Sequence, residues 1–273
     1  MCFLLRFMAS YDILGNIAIV KFVAPKKLTL KDKKKIALKI LKQHKNVRTI
    51  LEKSGNFSGR LRKQKTRFIA GEKTKEVLYR ENDCEFRFNV DDCYFSSRLS
   101  TDREEIASQV KKLEKVLVMF SGVGVYGIVI GKLSKAEKIV CVELNRKCNK
   151  YALENVERNK LLERVQIVQG DVMRIIGKGK SKRINSKFDR IVMARPNLKD
   201  DFLDVAFQVC KKGTIIHYHC FYHELEKKAG VIEELIEKRA MENRKRIKIV
   251  GIKKAGEIAP YKFRYRADFK VLN

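Results

Sequence analysis

Two glycines and a carboxylate carry the first chemical suggestion in this sequence. Gly122 and Gly124 follow the apolar run Val116-Leu-Val-Met-Phe120, and Glu143 closes the next apolar run, Ile139-Val-Cys-Val-Glu143. Glycines in such a turn let the backbone approach a ligand that a Cβ would exclude, and an acidic strand end can accept from both hydroxyls of a ribose. Gly170-Asp171, after a third apolar run, adds an acceptor for an adenine amine. G-x-G alone is a weak dinucleotide fingerprint. With the two acidic residues it suits S-adenosylmethionine (AdoMet) better than NAD, and the turn Phe120–Tyr126 would lie under the methionine moiety. A fourth segment, Met193-Ala-Arg-Pro-Asn197, follows another strand-like run, and Pro196 fixes its local φ.

These residues need a frame that brings strand ends together. The spacing predicts strands over 116–120, 138–142, 165–168, 188–193 and 214–219. Helices are expected over 126–133, 146–159, 200–210 and 225–244, and two final strands over 247–252 and 264–271. Alternating strands and helices predict a Rossmann-like, doubly wound α/β sheet whose ligand lies beyond the carboxyl ends of the strands. Residues 100–113 read as a connecting helix, with Thr101 as cap and Glu104 completing a capping box. The first 99 residues read as a small α+β domain. It has a strand pair over 12–23, a basic amphipathic helix over 32–44 with Ile36, Ala37, Ile40 and Leu41 as its apolar stripe, and further short strands. The expected boundary is thus 1–99 and 100–273.

Composition narrows the partner. Sixty-one Lys and Arg stand against 32 Asp and Glu, a formal charge of +29. A chain so basic binds polyanions, with nucleic acid ahead of an anionic membrane surface. No run is apolar for long enough to span a bilayer, and Met1–Met8 lacks the form of a secretory signal, so the cytoplasm is the expected compartment. Basic clusters lie at Lys26–Lys45, Arg60–Arg67 and Lys178–Arg183, while Tyr79, Phe86 and Tyr94 are candidates for stacking on an unpaired base, Phe86 being assigned to the core by default. The run His217-Tyr-His-Cys-Phe-Tyr-His223 invites a metal reading, but packed or hydrogen-bonded histidines at a strand end are the expectation, and no metal is predicted.

Several short motifs occur in a recognisable order. They are Tyr11–Ile19, His44-Lys45, Tyr94-Phe-Ser-Ser-Arg-Leu-Ser-Thr-Asp-Arg103, Met119-Phe-Ser-Gly-Val-Gly124, Val142-Glu-Leu-Asn145, Glu154-Asn155, Gly170-Asp171, Phe202-Leu203 and His217-Tyr218. The set resembles the archaeal and eukaryotic type of tRNA (guanine-37-N1)-methyltransferase and its wyosine-pathway relatives, from about Tyr11 to the C-terminus. The resemblance implies an AdoMet-dependent enzyme that modifies the purine 3′ of the anticodon. A further N-terminal domain that many members use on the tRNA elbow is not expected here, so recognition would lean on the anticodon stem-loop. The family's Glu-Arg pair falls on Asp102 and Arg103. Asp102 would be the base that removes the guanine N1 proton and Arg103 a contact to AdoMet. The family's oxyanion-steadying arginine falls on Arg62 or Arg80.

Arg98 and Tyr94 match the arginine and the aromatic of the same segment. The implied cofactor set is Arg98, Arg103, Phe120, Gly122, Gly124, Tyr126, Glu143, Leu144, Gly170, Asp171 and Pro196. The RNA-facing set is Arg80, Tyr94, Arg195 and Asn197. Three positions depart from the family's pattern: Val118 replaces an Asp, Ala194-Arg195-Pro196 replaces Asn-Leu-Pro, and Ser97-Arg98-Leu99 replaces Pro-Arg-Leu. Ala194 cannot hydrogen-bond a base, so Arg195 or Asn197 would have to do so, or the substrate differs. Transfer of methyl or aminocarboxypropyl to the wyosine precursor, and a relative that binds RNA without turnover, remain open as alternatives.

Overall fold

The computed structural model describes residues 9–23, 28–55, 59, 61–177, 182–195 and 198–273. The chain divides into two units, residues 1–81 with 85–97, and residues 82–84 with 98–273. Pro196 and Asn197 lie outside the described residues, as do Lys26, Lys27, Arg60, Lys178 and Lys180 of the basic clusters.

In the first unit, β1 (Ala9–Leu14) and β2 (Ile17–Phe22) form an antiparallel hairpin. β2 runs parallel to β3 (Thr49–Lys53), which pairs antiparallel with β4 (Thr66–Gly71). A parallel pair requires a crossover, here the helix α1 (Leu30–Gln43). The Thr29 hydroxyl accepts from the Asp32 amide, and the Asp32 carboxylate accepts from the Thr29 amide, both at 3.2 Å. That capping box starts the helix ahead of the expected Asp32. Ile36, Ala37 and Ile40 are buried with Ala18, Val20, Ile50 and Ile69, while Lys31, Lys34, Lys35 and Lys42 remain exposed. β5 (Glu76–Glu81) and β6 (Cys84–Asn89) make a separate two-stranded sheet. Phe86 and Phe88 are buried, and Phe95 stacks on Phe88 with ring centroids 4.8 Å apart.

The second unit is the doubly wound α/β fold. Its strands are β7 (Lys115–Met119), β8 (Lys138–Glu143), β9 (Val165–Gln169), β10 (Phe188–Met193), β11 (Cys210–His223), β12 (Ile247–Ala259) and β13 (Lys262–Val271). They form one sheet in the order β12-β13-β11-β10-β7-β8-β9. β9, β8, β7, β10 and β11 are mutually parallel, and β13 joins β11 antiparallel, paired in turn with β12. The helices are α2 (Ser100–Ser108), α3 (Val125–Leu133), α4 (Arg146–Arg158), α5 (Val172–Ile175), α6 (Leu203–Gln208), α7 (Glu224–Lys228) and α8 (Val231–Glu242).

Three expectations need correction. α2 ends at Ser108 rather than 113, and the Thr101–Glu104 capping box does not form. A 3-10 turn over Ser97–Leu99 leads into the helix, so Leu99 holds the cap position and Thr101 already lies inside. The helix expected over 225–244 is two, because Gly230 adopts φ +81 between α7 and α8. The helix expected over 200–210 shrinks to Leu203–Gln208, started by the Asp201 carboxylate accepting from the Leu203 amide at 2.9 Å.

The two faces of the large sheet differ in chemistry. Leu117, Met119, Ile191, Met193, Ile216, Tyr218, Ala267 and Phe269 point into an apolar layer with Leu203, Ala206 and Phe207 of α6 and Ile232, Ile236 and Ala240 of α8. Each of the Leu, Ile, Met and Phe side chains contributes about 1.5–3 kcal/mol when fully buried. The alternate residues Arg190, His217, His219 and Arg266 are buried on the opposite face. Cross-strand register sets His217 opposite Asp268 and His219 opposite Arg266, so charged groups meet partners rather than carbon.

Candidate functional site

Three strand ends are stitched together around Glu143. After β7 the chain turns through left-handed backbone at Phe120 (φ +63), Gly122 (φ +57) and Gly124 (φ +84). A Cβ on Gly124 would stand 3.1 Å from Ile128 Cδ1 and 3.4 Å from Ala152 Cβ. The Glu143 carboxylate accepts from the Gly122 amide at 2.8 Å through Oε2 and from the Asn145 amide at 2.7 Å through Oε1. The Glu143 carbonyl accepts from the Gly170 amide at 2.9 Å. One residue thus fixes the glycine turn, the start of α4 and the turn after β9. Burial of this carboxylate pushes its pKa up, against the lowering effect of amide donors at Asn145, Gly122 and Leu144. Leu144 is half-buried beside it, and Asp171 caps α5 by accepting from the Met173 amide at 3.0 Å.

Asp102 is the centre of a second, buried cluster. Its Oδ2 accepts from the Tyr126 hydroxyl at 2.7 Å and lies 2.9 Å from His219 Nε2, while Oδ1 accepts from Arg266 Nη1 at 2.7 Å. Burial alone would raise its pKa. The charges and hydrogen bonds of His219, Arg266 and Tyr126 outweigh burial and hold the carboxyl well below the usual carboxylate range. Tyr126 stands in the first turn of α3, next to the glycine turn, and its hydroxyl pKa is pushed up by burial and by the neighbouring Asp102. Arg103 is also buried, its guanidinium 5.6 Å from the centre of the Tyr126 ring.

From Asp102 a continuous chain of ion pairs and hydrogen bonds crosses the sheet. Arg266 Nε donates to Asp268 at 3.0 Å, and Asp268 lies 2.7 Å from His217 Nδ1. Arg190 Nη1 is 2.7 Å from His217 Nε2, and Arg190 Nε donates to Glu114 at 2.8 Å. With an arginine donating to Nε2, His217 must carry its proton on Nδ1 and stay neutral. Burial depresses its pKa in the same sense, helped by the charges of Arg190 and Arg266 and opposed by Asp268. His219, Arg266, Asp268 and Arg190 were missed as site residues in the sequence. The available signal was alternation: Arg264, Arg266 and Asp268 interleave with Tyr265, Ala267 and Phe269 in a strand otherwise fit for a core. Among the described residues no group of three or more His, Cys, Asp and Glu converges to hold a metal. His223 instead caps α7 by accepting from the Leu225 amide at 3.2 Å.

The other expected residues fall in different settings. Arg195 is buried, and its Nη2 donates to the carbonyls of Leu198 and Asp200, both at 2.6 Å. That guanidinium holds its own loop, which weakens its assignment as a base reader. Arg98 is exposed on the 3-10 turn. In the first unit, the Arg62 guanidinium lies 4.0 Å from the centre of the Tyr94 ring, and Arg80 pairs with Glu85 at 2.5 Å on the surface. Tyr79 meets Phe95 edge-on with ring centroids 4.9 Å apart.

The donors and acceptors fit AdoMet on this structure's own terms. Left-handed backbone at Gly122 and Gly124 favours glycine in this turn, and Glu143 retains acceptor capacity beyond the Gly122 and Asn145 amides. The buried Ser121 hydroxyl in the same turn has no protein partner. The second unit has the Rossmann-like methyltransferase fold. Residues 77–249 match the TRM5/TYW2 methyltransferase domain, and residues 4–74 match the TYW2 N-terminal domain. The chain belongs to the TRM5/TYW2 methyltransferase family.

Among its relatives, the tRNA (guanine(37)-N(1))-methyltransferase Trm5b of Pyrococcus abyssi is 32% identical over 96% of this chain and 74% of its own length. The tRNA (guanine(37)-N(1))/4-demethylwyosine(37)-methyltransferase Taw22 of Nanoarchaeum equitans is also 32% identical, over 96% of this chain and all 100% of its own. The crystal structure of Pyrococcus abyssi Trm5b superposes with a TM-score of 0.84 at 31% identity, over 99% of this chain and 77% of that one. No described helix is long and apolar enough to cross a membrane.

Proposed function

We propose that this protein is an AdoMet-dependent tRNA methyltransferase that acts on the purine at position 37, and that its target atom is guanosine N1. The observation that carries the reading is the 32% identity to a guanine-37-N1 enzyme across 96% of the chain, joined to the Glu143-centred turn. Gly122, Gly124, Glu143, Leu144, Gly170 and Asp171 would hold the cofactor, with Phe120, Tyr126 and Arg103 beside them. The proposed set also takes in Arg98 and Pro196. When bound, AdoMet supplies a methyl group on a positively charged sulfur.

Asp102 would take the N1 proton on Oδ1, the oxygen with fewer donors facing it. An acceptor held so far below the usual carboxylate range is a weak base on its own. It can act here only if the proton leaves N1 as the methyl arrives, because the forming bond acidifies that proton. The assignment of Arg62, or Arg80, to charge on O6 rests on the family resemblance. Tyr94, Arg195 and Asn197 stand as proposed RNA contacts on the same footing. The formal charge of +29 suits an anticodon stem-loop as partner.

A second reading has specific support. The Taw22 relative and Taw21 of Saccharolobus solfataricus, 32% identical over 80% of this chain, are both named for methylation of 4-demethylwyosine at position 37, and the N-terminal match is to a TYW2 domain. Methyl rather than aminocarboxypropyl transfer is favoured, because the relative named for the larger group is 25% identical. Incubating the purified protein with AdoMet and either unmodified tRNA carrying G37 or tRNA carrying 4-demethylwyosine, then analysing nucleosides by mass spectrometry, separates the readings. The first predicts methylguanosine from the unmodified transcript. No product from either tRNA would refute both.

A further inference from the structure

We propose that His219 is a positioning residue, one that aims the Asp102 carboxylate and ties it to the loop following β10. The inference rests on the reading of Asp102 as proton acceptor. His219 is fully buried in β11, and its two ring nitrogens face different elements. Nε2 lies 2.9 Å from Asp102 Oδ2, in α2. Nδ1 lies 3.3 Å from the carbonyl of Met193, the last residue of β10, directly ahead of Ala194-Arg195. Tyr126, two residues after Gly124, donates to the same Oδ2 at 2.7 Å and sits 3.4 Å from His219 Nε2. One imidazole therefore contacts the carboxylate, the strand end that leads into the proposed base loop, and the hydroxyl of the first turn after the proposed cofactor cradle.

Acceptor capacity shows why this matters. An ionised carboxylate offers about four lone-pair directions. Tyr126 and His219 meet Oδ2, and Arg266 meets Oδ1 at 2.7 Å, so the remaining direction is on Oδ1. Without His219, Oδ2 keeps one donor, and the short Asp side chain can turn about its own axis toward Arg266. An aspartate reaches less far than a glutamate, so its direction has less slack. A displacement of about 1 Å in a reacting group can cost about 10²-fold in rate. His217, two residues earlier on the same strand, makes a contrast. Its two ring nitrogens meet Arg190 and Asp268 instead.

The test compares His219→Gln, His219→Asn and His219→Leu with wild type and with Asp102→Asn, in the full-length protein. The glutamine amide nitrogen reaches the place of Nε2 and can still donate to Asp102, whereas asparagine reaches only the place of Nδ1. Single-turnover methylation of unmodified tRNA transcript, KM for the transcript, AdoMet affinity by calorimetry and thermal unfolding are measured on each. His219→Leu is expected to lower kcat about 10- to 100-fold, the loss of a hydrogen bond to a charged group, with AdoMet affinity within about threefold of wild type. His219→Gln should recover most of the rate, and His219→Asn should stay roughly as slow as leucine. A double variant with Asp102→Asn should be no slower than Asp102→Asn alone, since the two act as one unit.

Equal rates for the glutamine and asparagine variants, or multiplicative losses in the double variant, would overturn the proposal. If leucine prevents folding, the glutamine–asparagine comparison alone decides. A wild-type protein that binds AdoMet yet methylates no transcript refutes the functional reading instead, and this proposal falls with it.

Discussion

Replacing Glu143 by glutamine should separate folding from cofactor binding. The carboxylate accepts from two amides, Gly122 at 2.8 Å and Asn145 at 2.7 Å, and glutamine turns one oxygen into an NH2 that must face one of them. Leaving one buried amide unpaired costs about 1–3 kcal/mol. The same change removes a buried negative charge, whose cost is visible in the upward shift of its pKa. The two effects oppose, and the fold should lose no more than about 1–2 kcal/mol. Binding has no such compensation. Two hydrogen bonds from ribose hydroxyls to a charged acceptor contribute about 1.5–3 kcal/mol each, so even half that loss weakens AdoMet binding about 10- to 10²-fold.

Calorimetric titration with AdoMet and thermal unfolding measure the two quantities separately. Because burial raises the Glu143 pKa, wild-type affinity should also begin to fall above the usual glutamate titration near 4.3 as pH is lowered. The glutamine variant should lack that limb. An affinity within about threefold of wild type at neutral pH would show that Glu143 only holds the turn, and the cofactor argument would have to be abandoned.

Other outcomes follow from the same geometry. Asp102 has a depressed folded pKa, so its contribution to stability is complete above the unfolded value near 3.9 and is lost as pH falls below it. Asp102→Asn should unfold at a lower temperature than wild type at pH 7, with the gap closing below about pH 4. Gly124→Ala places a Cβ in left-handed backbone 3.1 Å from Ile128 Cδ1, and a loss of about 1–2 kcal/mol is expected by denaturant titration. Arg190→Met breaks the Glu114–Arg190–His217 connection and takes away the guanidinium that pairs with the Glu114 carboxylate, for about 3–5 kcal/mol, while the AdoMet affinity of the folded fraction should stay unchanged.

Much of the fold was legible because its signals are local. Runs of four or five mostly apolar residues, closed by an acidic residue or followed within two positions by Gly, mark β7, β8 and β9 whatever lies around them, and the β-α alternation then admits few topologies. The glycine turn and Glu143 were legible as a candidate site for the same reason. Their chemistry follows from residue type at a strand end. Element ends were less readable. The break at Gly230 and the move of the α2 cap from Thr101 to Leu99 depend on where the chain must turn to meet the sheet, which no local window contains.

The sequence by itself marked Gly122, Gly124, Glu143 and Asp171 as candidates to hold a nucleoside, and the family resemblance set Asp102 and Arg103 at the positions of its Glu-Arg pair. It could not decide what Asp102 touches. His219 is 117 positions away and Arg266 is 164, and only the antiparallel register of β13 on β11 brings both beneath α2. Nor could it show that Glu143 holds the glycine turn, since that bond joins two different strand ends. Period-two patterning says that alternate residues share a face. Which face lies under which helix is settled by sheet order, and here that order sets His219 and Arg266 against Asp102, and His217 and Arg190 against Asp268 and Glu114.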